Sequence, residues 1–288
     1  MLTGANKLDL ASHAIPGNKE LDLSGNPGVM DVSGDFVDWY LLTHLEELVL
    51  ANCGVTSRQL KCFAGCPPPS LKKLDLSGNR GVLDVSSGDF VDWYLLTHLE
   101  ELVVSECGVT SRQLKCFAGC PPPSLKKLDL SGNRGVLDVS SGDFVDWYLL
   151  THLEELVVSE CGVTSRQLKC FAGCPPPSLK KLDLSGNRGV LDVSSGDFVD
   201  WHLLEHLEEL ILANCAVTAV QMESLMELLP GSTALLDLGS ESRDATPSDA
   251  LEAAGFTGHH QSGRWQRPVQ HSARIAESRA GPAGCLIA

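Results

Sequence analysis

The sequence predicts a curved α/β solenoid, in which short parallel strands line the concave side and helices lie on the convex side. Residues 71–124 and 125–178 are the same 54 letters, and near-identical copies lie on either side of them. Each copy contains two strand-like segments in which leucines alternate with polar residues, so one side of each strand is apolar. Because no single segment can bury its leucines alone, neighbouring segments must stack and share one core.

Each copy divides into two halves with the same leucine pattern. One half begins with LKKLDLSGN at Leu71 and the other with LEELVVSEC at Leu99. Both match L-x-x-L-x-L-x-x-N/C, the pattern of leucine-rich repeats. Strands are therefore expected at 21–23, 48–50, 74–76, 102–104, 128–130, 156–158, 182–184, 210–212 and 236–238. The letters LDL at 8–10 are a candidate for a tenth strand, but they precede the next strand by only 13 residues and are interpreted as a truncated cap or a damaged repeat.

An asparagine follows the strand in each first half, where the chain must turn away from the sheet. A buried side chain at this place can satisfy backbone groups of the turn, and stacked turns would give an asparagine ladder. The ladder would consist of Asn26, Asn79, Asn133 and Asn187.

The return limbs of the two halves differ in sequence. In the first half, we expect a helix over 86–99, capped by Ser87 or by Asp89 with Asp92. Its inner face would consist of Phe90, Trp93 or Tyr94, and Leu96. In the second half, we expect a short helix that Thr110 caps, with Leu114 and Phe117 inward, and that ends at the prolines of 120–124.

The repeats are expected to form one domain over residues 1–238, followed by a tail over 239–288. The tail is poor in leucine and has no sustained period, so we expect it to be largely disordered, with a short helix at 247–254.

The composition narrows the class of partner. Hydrophobic residues make up 43% of the 288 and charged residues 20%, and the net charge is −15. This excess of acid argues against nucleic acid and favours a protein partner, basic in character. The sequence has no run of about 18 apolar residues and no signal-peptide pattern. We expect a monomer in the cytoplasm without a transmembrane span.

Eleven cysteines raise three alternatives: disulfides, a metal site and reduced thiols. Four of them take the turn position that asparagine takes in the other half, which favours packing. These are Cys53, Cys107, Cys161 and Cys215. Six others form pairs four residues apart at the second helix, Cys62/Cys66, Cys116/Cys120 and Cys170/Cys174. This spacing lacks the further ligands of a zinc site, so we favour reduced, buried packing residues.

Histidine, serine and aspartate are all present, but no catalytic site is predicted. An active site needs one unique constellation, and the histidines recur once per copy. They form the row His44, His98, His152 and His206. The motifs G-x-S-x-G, H-E-x-x-H and G-x-x-x-x-G-K are absent, and LDVSSGDF at 83–90 lacks the oxygen spacing of a calcium loop. We expect no enzyme activity, no cofactor and no metal.

The outward strand positions form the candidate protein-binding face. At the strand centres, acidic and apolar residues alternate: Asp22, Val49, Asp75, Val103, Asp129, Val157, Asp183, Ile211 and Asp237. Two residues earlier, the row reads Glu20, Glu47, Lys73, Glu101, Lys127, Glu155, Lys181 and Glu209. Neighbouring lysines and glutamates there can form pairs worth about 0.2–1 kcal/mol each. Glu106 and Glu160 add acid beyond the strands. The alternatives are a merely solvated sheet face and a striped acidic groove for a basic or extended partner.

The last four residues, CLIA, have the C-a-a-X form of a prenylation signal, with Cys285 as the candidate lipidation site. One lipid would give only weak membrane association. No polybasic run precedes it, so a chance ending is the alternative.

The alternation of Asn-bearing and Cys-bearing halves resembles the ribonuclease-inhibitor type of leucine-rich repeat, over about residues 8–238. The letters LEELVVSECGVTSRQLKCF are very similar to the cysteine-bearing repeat of that type. The same type forms the repeat region of many intracellular nucleotide-binding innate-immune receptors, and the chain is also similar to the animal proteins called leucine-rich repeat-containing protein 31. The resemblance implies a horseshoe that binds proteins along its concave face and repeat edges.

The leading hypothesis is a non-enzymatic protein-interaction scaffold. The alternatives are a specific inhibitor of a basic enzyme such as a ribonuclease, and the ligand-sensing repeat region of an innate-immune type receptor.

Overall fold

The repeats stack into an open solenoid, as predicted, with one parallel strand per half-repeat. The structure is a computed structural model that describes residues 18–30, 38–85, 88–140, 142–192, 194, 196–239, 248–259 and 262–268. Nine strands pair in parallel and in sequence order. They are β1 (Glu20–Asp22), β2 (Glu47–Val49), β3 (Lys73–Asp75), β4 (Glu101–Val103), β5 (Lys127–Asp129), β6 (Glu155–Val157), β7 (Lys181–Asp183), β8 (Glu209–Ile211) and β9 (Leu235–Asp237).

Each of these strands begins and ends one residue before the segment that the sequence predicts. The backbone ladder continues past the assigned ends, since the amide of Leu50 donates to the carbonyl of Asp75 and that of Leu76 to Val103, both at 2.8 Å. Strand boundaries commonly differ by one or two residues in this way. The central leucine of each inner strand is buried in one continuous core. The LDL segment at 8–10 lies outside the described residues.

A ladder of asparagine and cysteine side chains joins consecutive turns behind the strands. The amide nitrogen of Asn133 donates to the carbonyl of Leu130 at 2.7 Å and to that of Val104, one turn earlier, at 2.9 Å. Its carbonyl oxygen accepts from the backbone of Val109 at 2.9 Å. In the next half-repeat, the thiol of Cys161 lies 3.2 Å from the same Leu130 carbonyl. The predicted ladder is confirmed for Asn79, Asn133 and Asn187, which are all buried and bond to the preceding turn, whereas Asn26 is only half-buried and bonds within its own turn.

The helix of each second half forms as predicted. These helices are α1 (Ser57–Gly65), α2 (Ser111–Gly119), α3 (Ser165–Ala172) and α4 (Ala219–Leu228). Thr164 caps α3, because its hydroxyl accepts from the backbone of Gln167 at 3.4 Å while the Gln167 side chain accepts from the backbone of Thr164 at 2.9 Å. Thr110 and Gln113 repeat this arrangement at α2. Leu114 and Phe117 are buried.

The helix predicted for the first-half limb, over 86–99, is wrong. Within residues 88–99, which the structure describes, only a 3-10 helix forms, at Trp93–Leu95, and it recurs at Trp39–Leu41, Trp147–Leu149 and Trp201–Leu203. Trp93 and Leu96 are buried, but Phe90 is 53% and Tyr94 52% exposed. Inward residues three apart suit the three-residue turn of a 3-10 helix rather than an α-helix.

The predicted capping by Asp92 is also wrong. Asp92 precedes the 3-10 helix and makes no side-chain capping bond. Asp89 lies near Lys61 of α1 instead, with 4.0 Å between the charged atoms. Ser87 lies outside the described residues.

Part of the tail that the sequence assigns to disorder folds onto the last repeat. The short helix α5 (Ser248–Ala253) occurs where it is expected, and strands β10 (Thr257–His259) and β11 (Arg264–Gln266) follow it. β11 pairs antiparallel with β9, so this hairpin extends the sheet beyond the parallel strands. Leu251, Phe256 and Trp265 are buried there, and their burial accounts for the order of this segment.

Candidate protein-binding surface

The strand-centre residues lie side by side across the concave sheet. The register places Val103 between Asp75 and Asp129, and the same alternation continues along the solenoid. The members of the row in β2 to β9 are partly exposed: Val49, Asp75, Val103, Asp129, Val157, Asp183, Ile211 and Asp237. The structure therefore places the predicted residues on one surface, and their role in binding stays a prediction.

The neighbouring lysines and glutamates form ion pairs across the strands. Lys73 pairs with Glu47 at 2.8 Å, and this hydrogen bond raises the pKa of Lys73. Further along, each lysine lies between two glutamates. Lys127 is 3.4 Å from Glu101 and 3.6 Å from Glu155, and Lys181 is 3.4 Å from Glu155 and 3.7 Å from Glu209. This part of the face is close to neutral and already paired.

The aspartates of the strand-centre row are partly engaged by serines that follow each strand. A carboxylate oxygen of Asp129 accepts from the backbone and the hydroxyl of Ser131, and Asp183 does the same with Ser185. The hydroxyl of Ser159 in turn donates to that of Ser131 at 2.9 Å. The acidic stripe is thus held in place by the turns, while the valines between the aspartates have no polar group to satisfy.

A second row of ion pairs, which the sequence analysis missed, lies just before the strands. Lys72 pairs with Glu46 at 2.8 Å, and Lys126 and Lys180 pair with the corresponding glutamates Glu100 and Glu154, both at 2.9 Å. Hydrogen bonds from Lys19 and Lys72 lower the pKa of Glu46 to about 2. This row could have been predicted from the Lys-Lys and Glu-Glu doublets that alternate at the starts of consecutive strands.

A third set of charges lies beyond the other ends of the strands. We call it the charged rim; it consists of Arg80, Glu106, Arg134, Glu160 and Arg188, in the turns after β3 to β7. All five side chains are exposed. A groove of about 700 Å³ lies beside the rim. Its lining includes Arg134, Glu160 and Arg188 of the rim, together with Asp183, Ser159 and Ser185. The sequence analysis found the glutamates but missed the arginines.

The cysteines divide into two groups, and one group corrects the prediction. Cys53, Cys107, Cys161 and Cys215 are buried, as expected, and burial raises the pKa of the last three to about 11. The six paired cysteines of the helices are exposed rather than buried: Cys62, Cys66, Cys116, Cys120, Cys170 and Cys174. The inward positions of those helices are taken by Leu114 and Phe117 and their equivalents, so the thiols point elsewhere. Cys285 lies outside the described residues.

The histidine row lies at exposed positions. Among the described residues, no three His, Cys, Asp or Glu side chains form a group that could hold a metal ion. No helix in the described part of the chain has the length and apolar character to cross a membrane.

The chain is similar in sequence to two kinds of known protein. No family model matches the chain. It is 28% identical to human tubulin-specific chaperone E over 242 residues, which covers 67% of this chain and 43% of the chaperone. It is 27% identical to pig ribonuclease inhibitor over 256 residues, which covers 82% of this chain and 54% of the inhibitor. The chain thus spans only about half the length of these relatives.

Two solved structures share the fold. The leucine-rich repeat-containing protein LegL7 from Legionella pneumophila aligns with 84% of this chain and 81% of its own, at a TM-score of 0.57 and 20% identity. Human 5T4, or trophoblast glycoprotein, aligns with 75% of this chain and 77% of its own, at a TM-score of 0.51 and 21% identity. These structures show the leucine-rich repeat fold, and the similarity to ribonuclease inhibitor, taken with the alternating Asn and Cys turns, supports the ribonuclease-inhibitor-like type of repeat.

Proposed function

We propose that this protein is a non-enzymatic scaffold that binds a protein partner on the concave face of its solenoid. The observation that carries the proposal is the row of partly exposed valine and isoleucine side chains between the aspartates of the sheet. Apolar side chains inside a polar frame are typical of the centre of a protein interface. The paired lysines and glutamates beside them would form the polar surround, which contributes more to specificity than to affinity.

The test uses two variants in which aspartate replaces exposed or partly exposed valines. Val103→Asp combined with Val157→Asp changes the centre of the row. Val220→Asp is the control, because Val220 lies on α4 and is 69% exposed. Immobilised protein is used to capture partners from native cells at two salt concentrations. We expect the wild type and the control to retain partners that the double variant loses. If the wild type, the double variant and the control capture the same proteins, the concave face is not the binding surface.

A second candidate is a specific inhibitor of a basic enzyme such as a ribonuclease. The pig ribonuclease inhibitor aligns with most of this chain, and the net charge of −15 suits a basic partner. Inhibition of a basic ribonuclease by micromolar protein is the measurement, and no effect at that concentration would exclude this candidate. Binding to purified tubulin belongs in the same series, because the human relative is named a tubulin-specific chaperone.

We also propose that the scaffold works in the cytoplasm, where a reducing environment keeps exposed cysteines as thiols. We further propose that Cys285 is lipidated, which would give the cytoplasmic protein a weak membrane association. The variant Cys285→Ser should lose membrane association in fractionated cells, and identical fractionation of both forms would end this idea.

A further inference from the structure

The charged rim differs from the other charged rows because its members are not paired with each other. Among the described residues, no ion pair within 4.0 Å or side-chain hydrogen bond involves Arg134, Glu160 or Arg188. The lysines and glutamates of the sheet, by contrast, lie within 2.8–3.7 Å of their partners. The rim therefore presents alternating charges that are free to meet groups from another molecule.

The spacing of the rim follows from its backbone. The hydrogen bonds of the sheet continue into the turns, since the amide of Gly132 donates to Ser159, that of Glu160 to Ser185 and that of Gly186 to Ala213, each at 2.8 Å. The turns therefore stack at about the spacing of parallel strands, roughly 4.8 Å. Arg134 and Arg188 are two turns apart, so their backbones are separated by about 10 Å, and Glu160 belongs to the turn between those two turns.

Glu160 takes a backbone conformation that is unusual for its residue type. Its φ is +55°, and Glu106 has +54° in the preceding copy, where the equivalent positions elsewhere hold Asn52 and Asn214. Asparagine is common in this left-handed region and glutamate is not. A Cβ added at Gly186 would lie 2.8 Å from Cγ of Glu160, so the glutamate side chain lies over the next turn. Glu160 and Arg188 both line the groove.

We propose that the charged rim binds an α-helix of a partner protein, whose facing side carries acidic and basic residues in alternation. Acids at positions i and i+7 of a helix are about 10.5 Å apart, close to the separation of Arg134 and Arg188. A base at i+4 then faces Glu160. In an extended strand, alternate residues on one face are about 6.7 Å apart, so three of them overreach the two turns. This inference rests on the proposed protein-binding function and adds a second surface to it.

The experiment uses a helical alanine-based peptide that carries one set of three charges, with glutamate at i, lysine at i+4 and glutamate at i+7. The control peptide has the opposite charges at the same positions, and a third peptide has the first set of charges at alternate residues with prolines that prevent helix formation. Binding is followed by NMR titration at low salt, which measures affinities into the millimolar range. We expect the first peptide to bind at least tenfold more tightly than either of the others.

The matched protein variant exchanges the charges of the groove, with Arg134→Glu, Glu160→Lys and Arg188→Glu. All three side chains are exposed, so the fold should persist, and circular dichroism checks this. The variant should prefer the control peptide. Equal binding of the two helical peptides, no binding of either, or tighter binding of the extended peptide would overturn the proposal.

The concave variant Val103→Asp with Val157→Asp separates this proposal from the proposed function. It should bind the helical peptide like the wild type while losing native partners. If native partners depend on the valines but no peptide recognises the rim, the rim proposal fails and the scaffold function stands.

Discussion

At the scale of single residues, each buried asparagine stabilises the fold through a few hydrogen bonds to buried backbone groups. Asn133 has no exposed surface and satisfies backbone groups in its own turn and in the preceding Cys-bearing turn. Water cannot reach these groups to replace it, so each group left unpaired costs about 1–3 kcal/mol. The ladder thus contributes to stability through bonds between turns rather than through the apolar surface of the leucines.

Replacing Asn133 with alanine should destabilise the protein strongly. The substitution leaves the Val109 amide and the Val104 carbonyl without their partner, and we expect the free energy of unfolding to fall by about 2–5 kcal/mol. Urea unfolding followed by circular dichroism measures it. Asn26→Ala is the control, because Asn26 is only half-buried and bonds within its own turn. Equal losses for the two variants would contradict the role of the ladder.

The buried thiols make stability depend on pH in the alkaline range. Folding raises the pKa of Cys107, Cys161 and Cys215 from 9.0 to about 11. Above pH 9.0 the unfolded chain loses these protons while the folded chain keeps them. The unfolded state then binds fewer protons, so stability falls as the pH rises towards 11 and is not affected by these groups below pH 9.

The measurement compares unfolding free energies at pH 8 and pH 10.5 under reducing conditions. Wild type should lose more stability over this range than a variant with alanine at all three positions, by up to about 2 kcal/mol per thiol. Variants with alanine at the exposed Cys116 and Cys170 should lose as much as wild type. The same pH dependence in all forms would rule out the buried thiols as its source.

At the scale of elements, the sequence predicts the strands and the second-half helices because their apolar spacing is regular. Leu114 and Phe117 have helical spacing, and Thr110 with Gln113 forms a recognisable cap. The first-half limb was predicted wrongly, since a tryptophan, a tyrosine and two leucines in succession are compatible with several inner faces. Only packing against the neighbouring helix decides between them: Trp93 meets the Phe117 ring edge-on at 5.2 Å.

Two substitutions in one limb test this arrangement. Trp147 is buried and meets Phe171 edge-on at 5.2 Å, so Trp147→Ala should reduce the free energy of unfolding by about 3–5 kcal/mol. Phe144 lies three residues earlier and is 55% exposed, so Phe144→Ser should change it by less than about 1 kcal/mol. Thermal and urea unfolding give both values. A large loss for Phe144→Ser would favour the α-helical limb with an inward phenylalanine.

The candidate surfaces were predictable only in part, for a similar reason. The strand-centre row follows from the two-residue period of a strand, so Asp75 and Val103 could be placed from the letters alone. The rim arginines lie in turns, which have no strand or helix period from which the orientation of a side chain could be predicted. Their distance from Glu160 depends on how the turns stack. The exposure of Cys116 was also not predictable, because its helix could have buried it beside Phe117.

At the scale of the whole molecule, the C-terminal hairpin of β10 and β11 is stabilised by contacts of a different kind from those between the repeats. Arg264 pairs with Asp237 at 2.8 Å, and Arg267 lies over the Phe256 ring at 4.6 Å, so the hairpin is specific to the last repeat. This segment occurs once and has no period, which is why the sequence analysis missed it. The repeats, by contrast, contact only their neighbours, so their stability should be close to a sum of units and interfaces.

Deletion of residues 125–178 tests this additivity, because it removes one whole identical block. Ser124 is then followed by Leu179, which begins the same sequence as Leu125. β4 would therefore meet β7 through the same contacts that it makes with β5. We expect a folded protein with cooperative urea unfolding. Its m-value should be lower, since m scales with the surface exposed on unfolding, and its melting temperature should be lower too.

Deletion of residues 125–152 is the matched control, because it removes only the Asn-bearing half. Glu155 would then lie opposite Glu101, a like-charged pair in place of two ion pairs with Lys127. The Val109 amide would also lose Asn133 as its acceptor. We expect this shorter deletion to be the more damaging one, with loss of cooperative unfolding. If the 28-residue deletion were tolerated better than the 54-residue deletion, the half-repeats would be independent units, and the alternation of Asn and Cys turns would not be needed for stacking.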